Sequence, residues 1–175
     1  MDDLFICGTK RRAPVFQRIV SLAAAAVLLA AQFVFRTLAQ TYLMPAQTVP
    51  VLRGVLRFHY VENTGVAFGR FGENPAFMWA VTGFTGLILL FLLVAMCLGR
   101  VRRGLPTLFI TLIMAGGIGI FAERFAEHYV VDYFEFLFVN FAIFNFADCL
   151  ISLGAFGLLI WMLAGMRTQK REPNA

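Results

Sequence analysis

Four long apolar runs constrain the fold of this chain more than any other feature of its sequence. They cover about residues 16–36, 75–98, 105–123 and 144–166, and each matches the roughly 20 residues that an α-helix needs to cross a bilayer. Apolar residues make up 60% of the chain and charged residues 14%, unlike the balance of a soluble domain. We therefore predict an all-α integral membrane protein, a four-transmembrane-helix bundle that forms a single membrane domain over residues 1–175.

The longest segment between two runs, residues 37–74, predicts a different structure. Val51–Tyr60 combines β-prone residues with interspersed basic ones, and Asn63-Thr64-Gly65 is a turn signal. We predict a small extracytoplasmic β-sheet element over about residues 48–72, lying on the outer membrane surface. The segment 124–143 is predicted to cross the same surface with a short amphipathic stretch.

Basic residues are unevenly distributed among the loops. Ten of the fifteen lie in the N-terminal head, in the connection at residues 100–103 and in the C-terminal tail. Because cytoplasmic loops are enriched in Lys and Arg, both termini are predicted to be cytoplasmic. The net charge of +5 therefore reports topology, and we expect membrane lipid but no nucleic acid as a partner.

The cysteines and histidines lack the spacing of a metal site or a disulfide framework. Cys7, Cys97 and Cys149 lie in three different segments, and His59 and His128 lie in two. We therefore expect no bound metal and no cofactor.

Two aspartates, Asp132 and Asp148, flank an aromatic-rich run within Val130–Ile151. An ionised carboxylate is costly to bury among apolar residues, so two of them so close together suggest a function. Two carboxylates that face one water share a proton, and one then acts as base and the other as acid in peptide hydrolysis. The alternatives are structural: Asp148 at the third position of a helix capped by Asn145, and Asp132 as a wetted loop residue.

Short motifs in three places can be compared with known families. V-V-D is followed by F-N-x-A-D, Val61–Gly69 reads VENTGVAFG, and Arg124 ends the third apolar run. These motifs resemble those of the lipoprotein signal peptidases (signal peptidase II), a family of bacterial four-span aspartyl proteases. The second motif is similar to the family's Asn-x-Gly-x-Ala-Phe, and Arg124 matches the last residue of its Gly-x-x-x-Asn-x-x-Asp-Arg.

The chain departs from the family pattern at several positions. Ile120 and Glu123 replace the Asn and the Asp of the third motif. Near the outer end of the first run, only Gln32 remains of the family's Asp-Gln-x-Thr-Lys-like sequence. Because Glu123 is followed by Arg124, we expect its carboxylate to pair with that guanidinium and to have a structural role.

The resemblance implies an aspartic endopeptidase in the bacterial plasma (inner) membrane, with its active site near the outer face. Its substrates would be prolipoproteins whose lipobox cysteine carries diacylglycerol, and it would cleave the bond before that cysteine to remove the signal peptide. Asp132 and Asp148 would be the catalytic residues. The residues that bind substrate or position the site would be Asn63, Gly65, Arg124 and Asn145. For Asn63, the alternative is a turn residue.

Two other functions fit the composition. One is a non-enzymatic four-span membrane protein, either a degenerate peptidase that captures lipoproteins or a small transporter. The other is a different intramembrane aspartyl protease, but the sequence lacks the Gly-x-Gly-Asp signature of proteases that resemble presenilin or prepilin peptidase. Cleavage of a lipidated precursor by the purified protein separates the enzyme from the first alternative.

Overall fold

The computed structural model describes residues 14–65 and 74–169. Its long helices are α1 (Val15–Leu38), α2 (Pro75–Cys97), α3 (Leu105–Glu127) and α4 (Phe146–Gln169). All four are long and apolar enough to cross a membrane. Each overlaps one predicted span, and α3 continues to Glu127 instead of ending near residue 123.

Helix α3 is the centre of the bundle. It packs most extensively against α4 and then against α1 and α2, while α2 makes extensive contacts within the described ranges only with α3. A Cβ at Gly116 of α3 would lie 2.5 Å from the carbonyl oxygen of Ala147, and one at Gly154 of α4 would lie 2.6 Å from that of Phe109. These glycines therefore let the backbones of α3 and α4 approach closely, as small residues do between membrane helices.

A three-stranded antiparallel sheet connects the ends of the helices. Its strands are β1 (Thr48–Leu52), β2 (Leu56–Asn63) and β3 (Val130–Phe136), paired in the order β1-β2-β3. The first two strands form a hairpin within the β region predicted at residues 48–72, of which residues 66–72 lie outside the described ranges. The hairpin turns at Gly54, whose φ is +72°, and not at the predicted Asn63-Thr64-Gly65.

Strand β3 differs from the amphipathic stretch that was predicted within residues 124–143. After α3 the chain reverses at His128, which adopts a left-handed φ of +67°, and then enters the sheet. Both faces of β3 are covered, because Val131 and Tyr133 belong to a buried cluster while Phe134 contacts the ring of Phe144 at 5.5 Å. A strand that is buried on both faces has no polar face, so its sequence lacks the alternation that predicts a strand.

The pairing of β2 with β3 brings two predicted site residues together. The ladder is irregular between Phe58 and Val61, and beyond this point Val61 pairs with Asp132. A β-bulge shifts the register and increases the local twist. As a result, Asn63 at the end of β2 lies beside Asp132 near the start of β3.

A lateral groove of about 200 Å³ lies between α2 and α4, with α3 as its floor. The residues that line it are Val81, Thr82, Thr85, Gly117, Ile120, Phe121, Arg124 and Ile151. At Ile120 and Arg124 the groove adjoins the cleft described below.

Candidate active site

A cleft of about 570 Å³ opens between the sheet and the adjoining ends of α3 and α4. The predicted site residues that line it are Asn63, Arg124, Asp132, Asn145 and Asp148. The remaining one, Gly65, reaches the site through its backbone, as described below. The structure thus brings all six predicted residues to one place.

Asp132 is a buried strand residue, with only 3% of its surface exposed. Its Oδ1 accepts a 2.6 Å hydrogen bond from Nδ2 of Asn145, and its Oδ2 accepts a 2.8 Å bond from Nδ2 of Asn63. Burial raises the pKa of Asp132 to about 7, and the charge of Asp148 acts in the same direction, while the two amide donors oppose it. Asp132 is therefore not a wetted loop residue, and its carboxyl group can hold a proton near neutral pH.

Asp148 lies in the first turn of α4, where it takes part in a reciprocal cap. The backbone N–H of Asn145 donates to its Oδ2 at 2.9 Å, and its own N–H donates to Oδ1 of Asn145 at 3.1 Å. This arrangement places a carboxylate at the positive end of a helix. The predicted cap is confirmed, but it engages only one oxygen. Within the part of the chain that the structure describes, Oδ1 of Asp148 has no hydrogen-bond partner and is free to meet a substrate or a water.

Asn145 links the two carboxylates. Its side-chain amide donates to Asp132, its backbone N–H donates to Asp148, and its side-chain oxygen accepts from the N–H of Asp148. Because both ends of the amide are engaged, its orientation is fixed. Both aspartates are thereby held relative to a single buried residue.

A second set of contacts comes from the end of β2. Oδ1 of Asn63 accepts a 3.0 Å hydrogen bond from the N–H of Gly65, which directs its Nδ2 towards Asp132. Nη2 of Arg124 donates a 2.5 Å bond to the carbonyl oxygen of Gly65. The charge of this guanidinium also interacts with Asp132 and Asp148. Asn63 is therefore both a turn residue and a ligand of the Asp132 carboxyl group.

Glu123 does not pair with Arg124, so the prediction of that pair is wrong. Its Oε2 lies 3.4 Å from Nε of Arg36 on α1 and accepts a 3.0 Å hydrogen bond from the N–H of Val131. Successive helical residues point about 100° apart, and so Glu123 faces α1 while Arg124 faces the cleft.

Tyr133 is a site residue that the sequence analysis missed. It is buried next to Asp132 in β3, and its hydroxyl oxygen accepts a 3.1 Å hydrogen bond from the N–H of Phe146. This bond connects the strand that carries Asp132 with the helix that carries Asp148. The available signal was the single tyrosine within Val130–Ile151, because a buried Tyr hydroxyl usually has a partner.

The rest of the cleft is largely apolar. Ile120, which replaces the asparagine of the family motif, lies one turn before Arg124 and contributes to this surface. The other residues that complete the lining are Val130, Phe136, Phe141, Ala142, Ile143, Phe144, Cys149 and Ser152. An apolar cleft with a few convergent polar groups is typical of a site for a largely apolar ligand.

Four membrane-length helices and a small sheet that together place two linked carboxylates in an apolar cleft are the arrangement expected of a membrane peptidase of the aspartic type. Comparison with known proteins identifies the family to which the chain belongs. The sequence matches the Signal peptidase (SPase) II family over residues 23–164, and the chain belongs to that family.

Curated relatives agree with this assignment. The lipoprotein signal peptidase of Trichormus variabilis is 40% identical over 115 residues, which are 65% of this chain and 70% of that protein. The lipoprotein signal peptidase of Nostoc sp. is 37% identical over 129 residues, 73% of this chain and 79% of the relative. For the lipoprotein signal peptidase of Lactococcus lactis subsp. lactis, the identity is 29% over 153 residues, 87% of this chain and 99% of the relative.

Solved structures share the fold. One bacterial membrane enzyme, determined by the in meso method, superposes with a TM-score of 0.75 at 19% identity, covering 96% of this chain and all of the other (100%). A second gives a TM-score of 0.71 at 22% identity, covering 89% of this chain and 98% of the other. The predicted fold class, a four-helix membrane bundle with a small sheet, is confirmed.

The class of the protein follows from these observations together. It is a multi-pass protein of the bacterial inner membrane and an aspartic-type peptidase of the signal peptidase II family. The non-enzymatic alternative is not favoured, because the chain belongs to a family of peptidases.

Proposed function

We propose that this chain removes signal peptides from prolipoproteins by hydrolysing the peptide bond before a diacylglyceryl-modified cysteine, with Asp132 and Asp148 as the catalytic pair. Its curated relatives are named lipoprotein signal peptidases. The observation that carries the catalytic assignment is the contact of both carboxylates with Asn145 at the surface of one cleft. Asn145 thus holds both carboxylates at one cleft, where burial and the charge of Asp148 raise the pKa of Asp132.

The two aspartates have different roles in this mechanism. Asp132, whose pKa is raised to about 7 by burial, holds the shared proton, and Asp148 is ionised at the helix N-terminus near Arg124. Asp148 removes a proton from a water, and the water oxygen attacks the carbonyl carbon of the scissile bond. Asp132 then gives its proton to the leaving amine as the carbon–nitrogen bond breaks. Transfer of a proton from Asp148 to Asp132 restores the starting state.

The remaining polar groups position the pair and the substrate. Asn63 and Asn145 fix the two oxygens of Asp132, and Arg124 holds the backbone at Gly65. The apolar lining of the cleft suits the lipid-modified cysteine and the apolar residues before it. Every group in this mechanism belongs to the chain itself, apart from the substrate and a water.

The site opens, in this proposal, at the outer face of the inner membrane, with both termini cytoplasmic. Ten of the fifteen basic residues lie at the two ends of the chain and in the connection between α2 and α3, and such residues are enriched on the cytoplasmic side. Single-cysteine labels within residues 40–65 should react from outside, and a label at Gly104 only after the membrane is permeabilised. The reverse pattern would place the pair on the wrong side for exported precursors.

The decisive experiment compares two precursors that differ only in the lipid. Purified protein, reconstituted in lipid, is incubated with a prolipoprotein that has or lacks the diacylglyceryl group on its cysteine. The lipidated precursor should be cleaved immediately before that cysteine, and the unlipidated one at least about tenfold more slowly because it lacks the binding energy of the lipid. Equal cleavage of both would contradict the proposed substrate, and cleavage of neither would contradict the proposed activity.

A further inference from the structure

A polar seam crosses the interface between α1 and α3 next to the site. Nε2 of Gln32 donates a 2.8 Å hydrogen bond to the carbonyl oxygen of Ala115. One turn further along α1, Nε of Arg36 lies 3.4 Å from Oε2 of Glu123, and Nη2 of the same residue contacts Glu127. The spacing is four residues on α1 and eight and then four residues on α3, which keeps these groups on facing sides of the two helices. The seam therefore ends at the helix terminus that leads into β3.

The ion pair at the end of this seam is shielded from water. The side chains of Arg36 and Glu123 are only 13% and 18% exposed. A buried ion pair loses hydration on both partners, so its net contribution to stability is often small, and a role in fixing one arrangement is a better reason for its presence.

The seam reaches the site through a backbone amide. The oxygen of Glu123 that faces Arg36 also accepts the N–H of Val131 at 3.0 Å. Val131 directly precedes Asp132, and its side chain is buried in the cluster beneath the sheet. A displacement of this amide would therefore move the backbone of the proposed catalytic residue.

We propose that Glu123, which faces the guanidinium of Arg36 at 3.4 Å, is a positioning residue that sets the location of Asp132 through the backbone N–H of Val131. The inference rests on the proposed catalytic role of Asp132. It adds that residues on α1 and α3 determine the position of this aspartate. Glu123 is not among the residues that line the cleft, and the oxygen that bonds Val131 is the one that faces Arg36. Its carboxylate therefore acts through the strand and does not contact the reacting bond.

The test uses two substitutions of Glu123 and one control. Glu123→Ala removes the acceptor of the Val131 N–H, whereas Glu123→Gln keeps an acceptor oxygen but removes the charge. Arg57→Gln is the control, because it removes a 2.5 Å contact to Glu135 on the same strand without touching Val131. For each variant, kcat and KM for the lipidated precursor are measured together with thermal unfolding.

We expect Glu123→Ala to lower kcat by about 100-fold with little change in KM, since a displacement of about 1 Å in a catalytic group has an effect of this size. Glu123→Gln should lower kcat by about tenfold or less. Within residues 14–65 and 74–169, the charged groups around Asp132 are Asp148 on α4, Glu123 and Arg124 on α3, and Glu62 on β2, which lines a pocket together with Asp132. Because the charge of Glu123 raises the pKa of Asp132, Glu123→Gln should also move the alkaline limb of the pH–rate profile to lower pH.

Several outcomes would overturn the inference. It fails if Glu123→Ala keeps wild-type kcat, if the loss falls on KM alone, or if Arg57→Gln is equally impaired. If Glu123→Ala does not fold, the inference is tested instead by a double-mutant cycle of Arg36→Gln, Glu123→Gln and the double variant. Additive effects of the two substitutions on kcat would then exclude a joint role.

Failure of this inference is distinguishable from failure of the proposed function. Asp132→Asn serves as the reference: if that variant still cleaves the precursor, the catalytic assignment falls whatever the Glu123 variants do. If Asp132→Asn is inactive while Glu123→Ala and Glu123→Gln behave as wild type, only the positioning role falls.

Discussion

The two carboxylates of the site are held by different kinds of contact, which we call their supports. Asp132 lies in the sheet and is held by the side chains of Asn63 and Asn145, which come from outside its strand. Asp148 lies in a helix and is held by the backbone N–H of Asn145 at the start of that same helix. The support of Asp148 needs only the first turn of its helix. The support of Asp132 forms only when the sheet and the helix bundle have assembled.

This difference separates two tasks of the site. Burial in the sheet raises the pKa of Asp132, while the two amide donors that form its support act against this shift. The local support leaves Oδ1 of Asp148 without a partner in the described part of the chain, so the helix presents an unpaired carboxyl oxygen to the cleft. Substitutions that affect one support and spare the other test the comparison.

The largest effect is expected from the carboxylates themselves. Asp132→Asn and Asp148→Asn each keep the shape of the side chain but remove the exchangeable proton, and groups that act as a unit lose activity together. Cleavage of the lipidated precursor should fall by roughly 10⁴-fold in either variant. Their correct insertion is checked by proteolysis of intact membranes, and appreciable turnover by either variant would refute the pair.

A substitution on α3 that removes neither carboxylate should disturb the helix that carries Asp148. Gly116→Ala places a methyl group 2.5 Å from the carbonyl oxygen of Ala147 and must push α4 away from α3. We expect a loss of about 1–3 kcal/mol in unfolding free energy and reduced cleavage, because Asp148 moves with α4.

The matched control for Gly116→Ala is Gly83→Ala in α2, where a Cβ meets no atom within 4 Å. This variant should be neutral or more stable by up to about 1 kcal/mol, because Ala favours a helix over Gly. Equal destabilisation by both substitutions in thermal unfolding would mean that the close approach of α3 and α4 is not what Gly116 provides.

The pH dependence of stability should report the titration of Asp132, the carboxyl group that lies in the sheet. The pKa of Asp132 is raised from its unfolded value of 3.8 to about 7 in the folded protein, so the folded state binds more protons between these values. The contribution of Asp132 to the free energy of unfolding is therefore fully present at low pH. It is lost as the pH rises towards 7, by up to about 1.4 kcal/mol per pH unit. Asp132→Asn should flatten this part of the profile in thermal unfolding from pH 5 to 8. An unchanged slope would show that Asp132 does not titrate there.

The smallest effect is expected from the hydrogen bond between Tyr133 and Phe146, which connects the strand that carries Asp132 with the helix that carries Asp148. Tyr133→Phe removes the hydroxyl that accepts the N–H of Phe146 and changes little else. Unfolding free energy should fall by about 1 kcal/mol, the usual value of one hydrogen bond, with a modest loss of kcat. Phe134→Leu, on the opposite face of β3, is a control for altered packing, and a larger loss of kcat in that variant would show that the hydroxyl does not couple strand to helix.

The sequence predicted the local and the strongly apolar features of this molecule. Each apolar run became a helix because length and composition suffice to specify a membrane span. The cap between Asn145 and Asp148 was predictable because its partners are three residues apart.

The features that the sequence did not predict depend on packing between distant segments. The strand β3 was missed because it is covered on both faces, by the segment around Ala39 on one side and by Phe144 on the other. The partner of Glu123 was misjudged because adjacency along a helix does not bring side chains together, whereas Arg36 on another helix faces it. The catalytic roles of Asp132 and Asp148 stay predictions until the substitutions above are measured.

The groove between α2 and α4 has a kinetic consequence. Its floor on α3 adjoins the cleft at Ile120 and Arg124, so we infer that a precursor anchored in the membrane, as the proposed function requires, approaches the site through this groove. The encounter is then a two-dimensional search, and its rate depends on how many precursors share each unit of membrane area. Adding inert lipid at constant enzyme and substrate should slow cleavage, while diluting the whole vesicle suspension with buffer should leave the rate per vesicle unchanged.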